Sequence, residues 1–376
     1  MNDAEIAVPP LAAVRAAELS IVIPTFKERD NVAELVARLE KVLAGIAWEA
    51  IFVDDDSPDG TADEVRRLGR DKPYVRCVQR IGRRGLSSAC VEGMLASSAP
   101  YLAVMDADLQ HDENLLPKMY AEITSGNYDA VVASRHVEGG GLGDWAASRV
   151  AISDFATRLA RLVLKSHLSD PMSGFFMITR AAFEGSVRNL SAIGFKILVD
   201  LFASAPKPLR FKELPFVFRQ RIHGESKLDS MVVLEFLLLL LDKMFGRFVP
   251  VRFLLFGMIG GSGVVVHLAT LGVLHQAMGV AFVAAQTIAT FVAMTSNFFL
   301  NNVLTYRDRR LRGWRVVWGL ISFYLVCGLG VVANVGFASF AFEQKWTWWV
   351  SGLVGALVGA VWNYAVSSVV TWRSKR

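Results

Sequence analysis

The stretch Tyr101–Glu113, "YLAVMDADLQHDE", decides how the rest of the chain is read. Its first five residues, Tyr101 to Met105, form a short apolar run that suits a buried strand. Asp106 and Asp108 follow two residues apart, with Gln110, His111, Asp112 and Glu113 behind them. Carboxylates leaving a strand end directly belong at a ligand-binding edge, because open parallel sheets take their ligands beyond the carboxyl ends of their strands.

The flanking sequence repeats this layout. "LSIVIP" (Leu19 to Pro24), "AIFVD" (Ala50 to Asp54), "YVRCVQ" and "YDAVVAS" read as further strands. Between the first two, Val32, Leu35, Val36, Leu39, Val42 and Leu43 share one helical face. Asn31 with Glu34 predicts an N-terminal cap there, and Thr61 with Glu64 has capping-box spacing for the next helix. Alternating strands and helices predict a mostly parallel sheet covered on both faces. "PTFKE", "DDDSPDG", "RIGRRG" and "DADLQ" then all fall at carboxyl strand ends.

The second half is different. The chain has 376 residues, a net charge of +5 and 53% hydrophobic residues. Its mean hydropathy is +0.38 and its pI about 9.1. The apolar excess lies beyond about residue 230. Four segments, near 252–276, 281–304, 316–341 and 348–370, can each supply the ~20 apolar residues of a membrane span. "YRDRRLRGWR" and the terminal "WRSKR" are basic, while "HQAMGV" and "EQKWT" are not. The positive-inside rule puts both termini and the basic loop in the cytoplasm. The N-terminus lacks a basic region followed by an apolar core, so no secretory signal is expected. Trp314, Trp318, Trp346, Trp348, Trp349 and Trp372 are read as interfacial aromatics. His267, Gln286, Asn297, Asn334 and Asn363 are read as interhelical hydrogen-bonding groups.

Two further segments border the membrane reading. A helix near 146–166 places Phe155, Leu159, Leu162 and Val163 on one face and Arg158, Arg161 and Lys165 elsewhere, as either an ordinary surface helix on the sheet or a helix in the headgroup layer would. The segment 229–250 is apolar, but Glu235 and Asp242 leave too short a clean run to span. The basic excess accompanies membrane spans, so nucleic acid is not an expected partner. Cys77, Cys90 and Cys327 have neither disulfide nor zinc spacing.

The acidic pair suits a divalent cation bridging a diphosphate, since hard oxygen ligands favour magnesium or manganese. At this point residues 19–228 resemble family 2 glycosyltransferases, closely the polyprenyl (dolichyl) phosphate mannose synthases. The resemblance rests on "VIPTFKERDN", "VDDDSPDGTAD", "RRGLSSA", "VMDADLQH", "VVASRHVEGGG", "SRVAIS", "DPMSGFFMITR" and "RIHGESKL". Residues 251–376 resemble a GtrA-like four-helix membrane module through "FLLFGMIGG" and "NFFLNNVLTYR". Phe26 and Lys27 replace the tyrosine and asparagine usual in that family, and Asp112 replaces a proline.

The resemblance implies a GT-A (Rossmann-like) α/β catalytic domain behind a short N-terminal tail, 1–18, followed by an α-helical four-span domain. It implies an inverting transfer of mannose from GDP-mannose to a polyprenyl phosphate, with a prokaryotic cell membrane as the expected setting. Pro24, Phe26, Glu28, Val53 and Asp55 would hold guanosine, with Arg84 near the nucleotide. Asp106 and Ala107 would lie against the ribose and diphosphate; Asp106, Asp108 and Gln110 would hold Mg2+ or Mn2+. Arg135, Arg149 and Ser153 would grip the acceptor phosphate, and Arg221 and Lys227 would close over the reacting groups. A UDP-sugar donor, or a lipid-linked-sugar flippase with an inactive catalytic domain, is the alternative. The Gln-x-x-Arg-Trp motif of processive polysaccharide synthases is absent from "FRQRIHG".

Overall fold

The computed structural model describes residues 16–141, 147–191, 194–219, 230–246 and 249–373. It forms two compact units, Met1–Met244 and Phe245–Arg376.

The first unit is built on β1 (Leu19–Thr25), β2 (Trp48–Asp54), β3 (Val75–Gln79), β4 (Tyr101–Val104), β5 (Ala130–Ser134), β6 (Phe176–Thr179) and β7 (Phe211–Pro215). These make one seven-stranded sheet in the order β3-β2-β1-β4-β6-β5-β7. β1 lies between β2 and β4, parallel to both. Its Leu19 sits level with Trp48 and Tyr101, so the three strands start together and release their loops at one edge.

Side chains along β1 alternate between two cores, as the two-residue period of a strand requires. Ile21 and Ile23 join Phe52, Leu35, Leu39, Leu116 and Met119 on the face covered by α1 (Arg29–Val42), α2 (Thr61–Asp71) and the later α4 (Leu116–Thr124). Val22 joins Val53, Cys90, Met94, Phe183 and Leu198 on the face covered by α3 (Leu86–Ala96), α6 (Arg180–Val187) and α7 (Ile197–Ser204).

The structure corrects several sequence expectations. β6 is not among the strands expected from sequence; it lies between β4 and β5, antiparallel to both. Neither predicted cap forms. Asn31 lies inside α1 and donates to the Glu28 carboxylate at 2.8 Å. The Thr61 hydroxyl donates to Asp59 at 2.6 Å and accepts from the Glu28 amide at 3.1 Å. Here the hydroxyl ties two loops together instead of serving its own helix. In α5 (Ala147–Ala160) and the turn after it, the expected apolar face divides. Leu159 and Val163 pack inward with Ala160, Met172 and Val199, against Phe236 and Leu239 of α8 (Ser230–Phe245). Phe155 and Leu162 stay 63% and 67% exposed.

The second unit is helical: α9 (Val251–Gly272), α10 (Phe282–Leu300), α11 (Trp314–Glu343) and α12 (Trp348–Val370). Three stretches, Val251–Ala277, Phe282–Thr305 and Trp314–Ala341, are long and apolar enough to cross a membrane. The described apolar part of α12, Val354–Val370, is shorter. His267 and Gln286 meet at 3.3 Å, joining α9 to α10. Asn297 packs over Gly263, and Asn363 over Gly330, where any Cβ would overlap the amide. Trp372 is not interfacial: it is fully buried, stacked on Tyr306 at 4.2 Å, and donates to Asn302 at 3.1 Å. Trp314 and Trp318 are exposed.

Gly93 on α3 meets the sheet so closely that a Cβ would overlap both Val22 and Val53. Gly93→Ala is expected to cost about 1–3 kcal/mol by overpacking. A lower unfolding temperature of the purified chain checks it.

Candidate active site

Three loops leave the carboxyl ends of β1, β2 and β4, and each contains a non-glycine residue with left-handed backbone: Lys27 (φ 58°), Asp56 (φ 55°) and Leu109 (φ 62°). Such conformations cost energy and collect where a loop is held in one functional shape. The sequence signalled the loops but not this strain.

The β1 and β2 loops are locked to each other. Buried Asp54 accepts from the Ser57 amide at 2.9 Å, and the Ser57 hydroxyl accepts from the Lys27 amide at 2.9 Å. Asp55 accepts from the Gly85 amide at 2.7 Å and from Arg80 at 2.9 Å. Burial pushes the Asp55 carboxyl above its usual range, against the opposing pull of Gly85 and Arg80. Arg80 is itself only 2% exposed and also donates to Ser88 at 2.6 Å. It is the spine of this corner, and the sequence reading gave it no role. The Arg84 guanidinium lies 4.3 Å from the centre of the Phe26 ring, bringing two predicted nucleotide-site residues together. Pro24 is half-buried in the last part of β1, and Glu28 begins the turn into α1. The Val53 side chain is fully buried under Gly93, so its main chain is what the site edge can offer.

The acidic pair follows β4. Asp108 and Ala107 are buried, while the Asp106 side chain is 35% exposed. His111, which follows the acidic pair, is 2% exposed and turns both ring nitrogens toward Asp106. Nδ1 accepts from the Asp106 amide at 3.1 Å, and Nε2 lies 3.8 Å from its carboxylate. The ring stacks on Phe175 at 5.1 Å. Gly174 brings that segment so close that a Cβ would lie 3.4 Å from Asp106 Oδ2.

Gln110 donates from Nε2 to the Arg219 carbonyl at 2.9 Å, which leaves its Oε1 as the atom able to serve a ligand. The Arg219 guanidinium donates to Asp112 and Glu113 at 2.5 and 2.8 Å. Asp112 and Glu113 do lead into α4, through a short turn capped by Asp112. They are also the clasp that holds the acidic loop to the β7 side.

Arg135, at the end of β5, forms a bidentate pair with Asp170, with Nε and Nη2 each 2.7 Å from a carboxylate oxygen. Asp170 has no exposed surface, and its amide donates to Glu213. Burial alone would raise Asp170, but the hydrogen bonds and charge of Arg135 outweigh it and hold the carboxyl below its usual range. Asp170 lies in the "DPMSGFF" stretch, yet sequence gave no sign that it would be the partner of Arg135. Ser153 lies half-buried on α5. Arg149 belongs to the same helix, but its side chain lies outside the described residues, as do Arg221 and Lys227. Among the described residues no three His, Cys, Asp or Glu cluster as a metal site.

This architecture agrees with comparisons to known proteins. Residues 20–186 match the glycosyl transferase family 2 model, and residues 255–372 match the GtrA/DPMS transmembrane domain. A dolichol-phosphate mannosyltransferase of Pyrococcus furiosus is 32% identical over 357 residues, covering 94% of this chain and 99% of its own. The chain belongs to the dolichol-phosphate mannosyltransferase family. Its Saccharomyces cerevisiae namesake is 36% identical over 232 residues, 58% of this chain and 84% of its own. The glucosyl-3-phosphoglycerate synthase of Mycobacterium tuberculosis, solved with UDP, superposes with a TM-score of 0.45 at 17% identity, covering 60% of this chain and 80% of its own. As a member of the dolichol-phosphate mannosyltransferase family, the chain is an enzyme. It couples a mostly parallel GT-A-like domain to a helical membrane region.

Asp170→Asn tests the buried pair. Removing one charge strands the other, at a typical cost of about 3–5 kcal/mol. The Asp170 carboxyl is depressed in the folded state, so its contribution is complete above the unfolded value of about 3.9 and is lost as pH falls through the folded one. The stability gap between wild type and Asp170→Asn should therefore be full at pH 7 and narrow below pH ~4, in denaturation curves across pH.

Proposed function

We propose that this enzyme transfers mannose from GDP-mannose to a membrane polyprenyl phosphate, inverting the anomeric carbon to give polyprenyl phosphate mannose. The observation that carries the reading is the acidic pair, fixed at a parallel sheet edge by His111 and Gly174, in a chain with a nearly full-length relative named for this activity.

The donor set suits a hard divalent cation: Asp106, Asp108 and the Gln110 amide oxygen are all oxygen ligands, and the ligand's phosphates would complete them. Mg2+ or Mn2+ bound there supplies charge neutralisation for the diphosphate leaving group. Pro24, Phe26, Glu28, Val53 and Asp55 take the guanosine, with Arg84 against Phe26 where the base enters. Arg135, Arg149 and Ser153 take the acceptor phosphate. Asp170 fixes two edges of the Arg135 fork and so sets how the guanidinium is aimed. Arg221 and Lys227, on the segment after Arg219, close over the diphosphate.

A lipid phosphate is already ionised at neutral pH and needs no general base. One of its oxygens attacks the anomeric carbon, the bond to the diphosphate breaks on the opposite side, and GDP leaves. The enzyme's part is alignment and electrostatic stabilisation. α12 acts as a fourth span, both termini face the cytoplasm, and α5 lies at the headgroup layer, where its outward Phe155 and Leu162 favour burial.

Asp108→Ala is expected to lower transfer by at least about 100-fold, with the unfolding temperature of the membrane helices retained. Purified protein given labelled GDP-mannose, UDP-glucose and UDP-N-acetylglucosamine with polyprenyl phosphate should label the lipid from GDP-mannose; preference for a UDP-sugar sinks the donor assignment. His111→Phe keeps the ring packing but removes both contacts to Asp106. It should raise the cation concentration needed for half-maximal nucleotide binding by about 10–100-fold.

A further inference from the structure

A second polar cleft is bordered by α5 and by the neighbours of the Arg135–Asp170 pair, and neither Asp106 nor Asp108 lines it. His136, Asp154, Thr157, Arg158, Arg161 and Ser169 line a cleft of about 250 Å³. Thr157 is 7% exposed, and its hydroxyl has no hydrogen-bond partner among the described residues. Arg158 and Arg161 are exposed, and neither has an ion-pair partner among the described residues. Most arginines around the candidate active site are spent on carboxylates, as Arg80, Arg135 and Arg219 are. Asp154 is the only carboxylate lining this cleft, against two guanidiniums and His136.

A buried hydroxyl without a partner and two uncommitted guanidinium forks are the complement of a phosphate. The cleft is not lined by the acceptor-site candidates Arg135 and Ser153, although their neighbours His136 and Asp154 border it. The surroundings indicate where the phosphate comes from. Phe155 on α5 and Leu162 in the turn after it, seven residues apart and largely exposed, bracket Arg158 in the chain. An apolar pair beside unpaired arginines fits acyl chains beside an anionic headgroup.

We infer that this cleft binds the phosphate of an anionic bilayer phospholipid, with Arg158 and Arg161 as its cations and Thr157 as its buried donor. The site is separate from the reacting phosphate. It orients the catalytic unit on the lipid surface and makes its docking depend on membrane charge. The inference does not depend on which sugar is transferred.

Native mass spectrometry of the full chain in detergent tests it, with phosphatidylglycerol, phosphatidylcholine, a polyprenyl phosphate and inorganic phosphate titrated separately. Wild type should retain phosphatidylglycerol over phosphatidylcholine. Arg158→Gln/Arg161→Gln should weaken that retention by at least about tenfold. Thr157→Val should weaken it less. The charge-matched control Arg70→Gln/Arg188→Gln, also at exposed arginines, should leave it unchanged. Retention of polyprenyl phosphate should be equal in wild type and the double variant. Equal phosphatidylglycerol retention in wild type and variant overturns the site, as does an equal loss in the control. A selective loss of polyprenyl phosphate assigns the cleft to the acceptor instead. Displacement of phosphatidylglycerol by equimolar inorganic phosphate makes it a free-phosphate site.

Discussion

The candidate site depends on where β1 stops. With β2 and β4 both parallel to it and in level register, three loops must emerge at one edge. Pairing on both sides leaves β1 no freedom to slide, because a one-residue slip would exchange Ile21 and Ile23 with Val22 between the two cores. The loops are then bound to each other through Asp54, Ser57, Asp55 and Arg80. Left-handed backbone at Lys27, Asp56 and Leu109 is the local cost of forcing three loops into one rim.

The cations of the catalytic unit divide by commitment. Arg80 and Arg219 serve the scaffold: the first pins Asp55 beneath the Arg84–Phe26 corner, and the second clasps the acidic loop through Asp112 and Glu113. Arg135 is intermediate, anchored on one side by Asp170. A guanidinium has five donors, so anchoring two of them fixes the fork without exhausting it. A bare lysine could not be aimed in this way, since its charge sits on a rotating ammonium. Arg158 and Arg161 have no ion-pair partner among the described residues, and one carboxylate, Asp154, shares their cleft.

The sequence carried the parallel half of the sheet well, because long apolar strands such as "LSIVIP" and "AIFVD" alternate with strongly periodic helices. It missed β6 and β7. β6 is an apolar run of only four residues, too short for its period to separate strand from helix, and β7 contains Lys212 and Glu213, so it lacks the apolar run of a buried strand. The caps failed for a related reason: Thr61 had a better use for its hydroxyl in a tertiary contact than in its own helix. At the site, motif residues were legible as types, while their supports were not. Asp170 lies 35 residues from Arg135, and Arg219 lies 107 from Asp112. No local spacing announces pairs formed across the sheet.

His111 shows most plainly what a linear reading loses. On the chain it follows the acidic pair and precedes a helix, so it resembles any polar loop residue. In the structure its ring is held by Phe175, which immediately precedes the strand that sequence did not predict. With Nδ1 accepting from the Asp106 amide, the neutral ring carries its proton on Nε2, facing the Asp106 carboxylate. At 3.8 Å that approach is beyond hydrogen-bond distance, so the firm link from His111 is the one to the Asp106 main chain. The acidic pair is therefore set by β4 from behind and by the β6 segment from the side, and both directions are needed to present two carboxylates to one ligand.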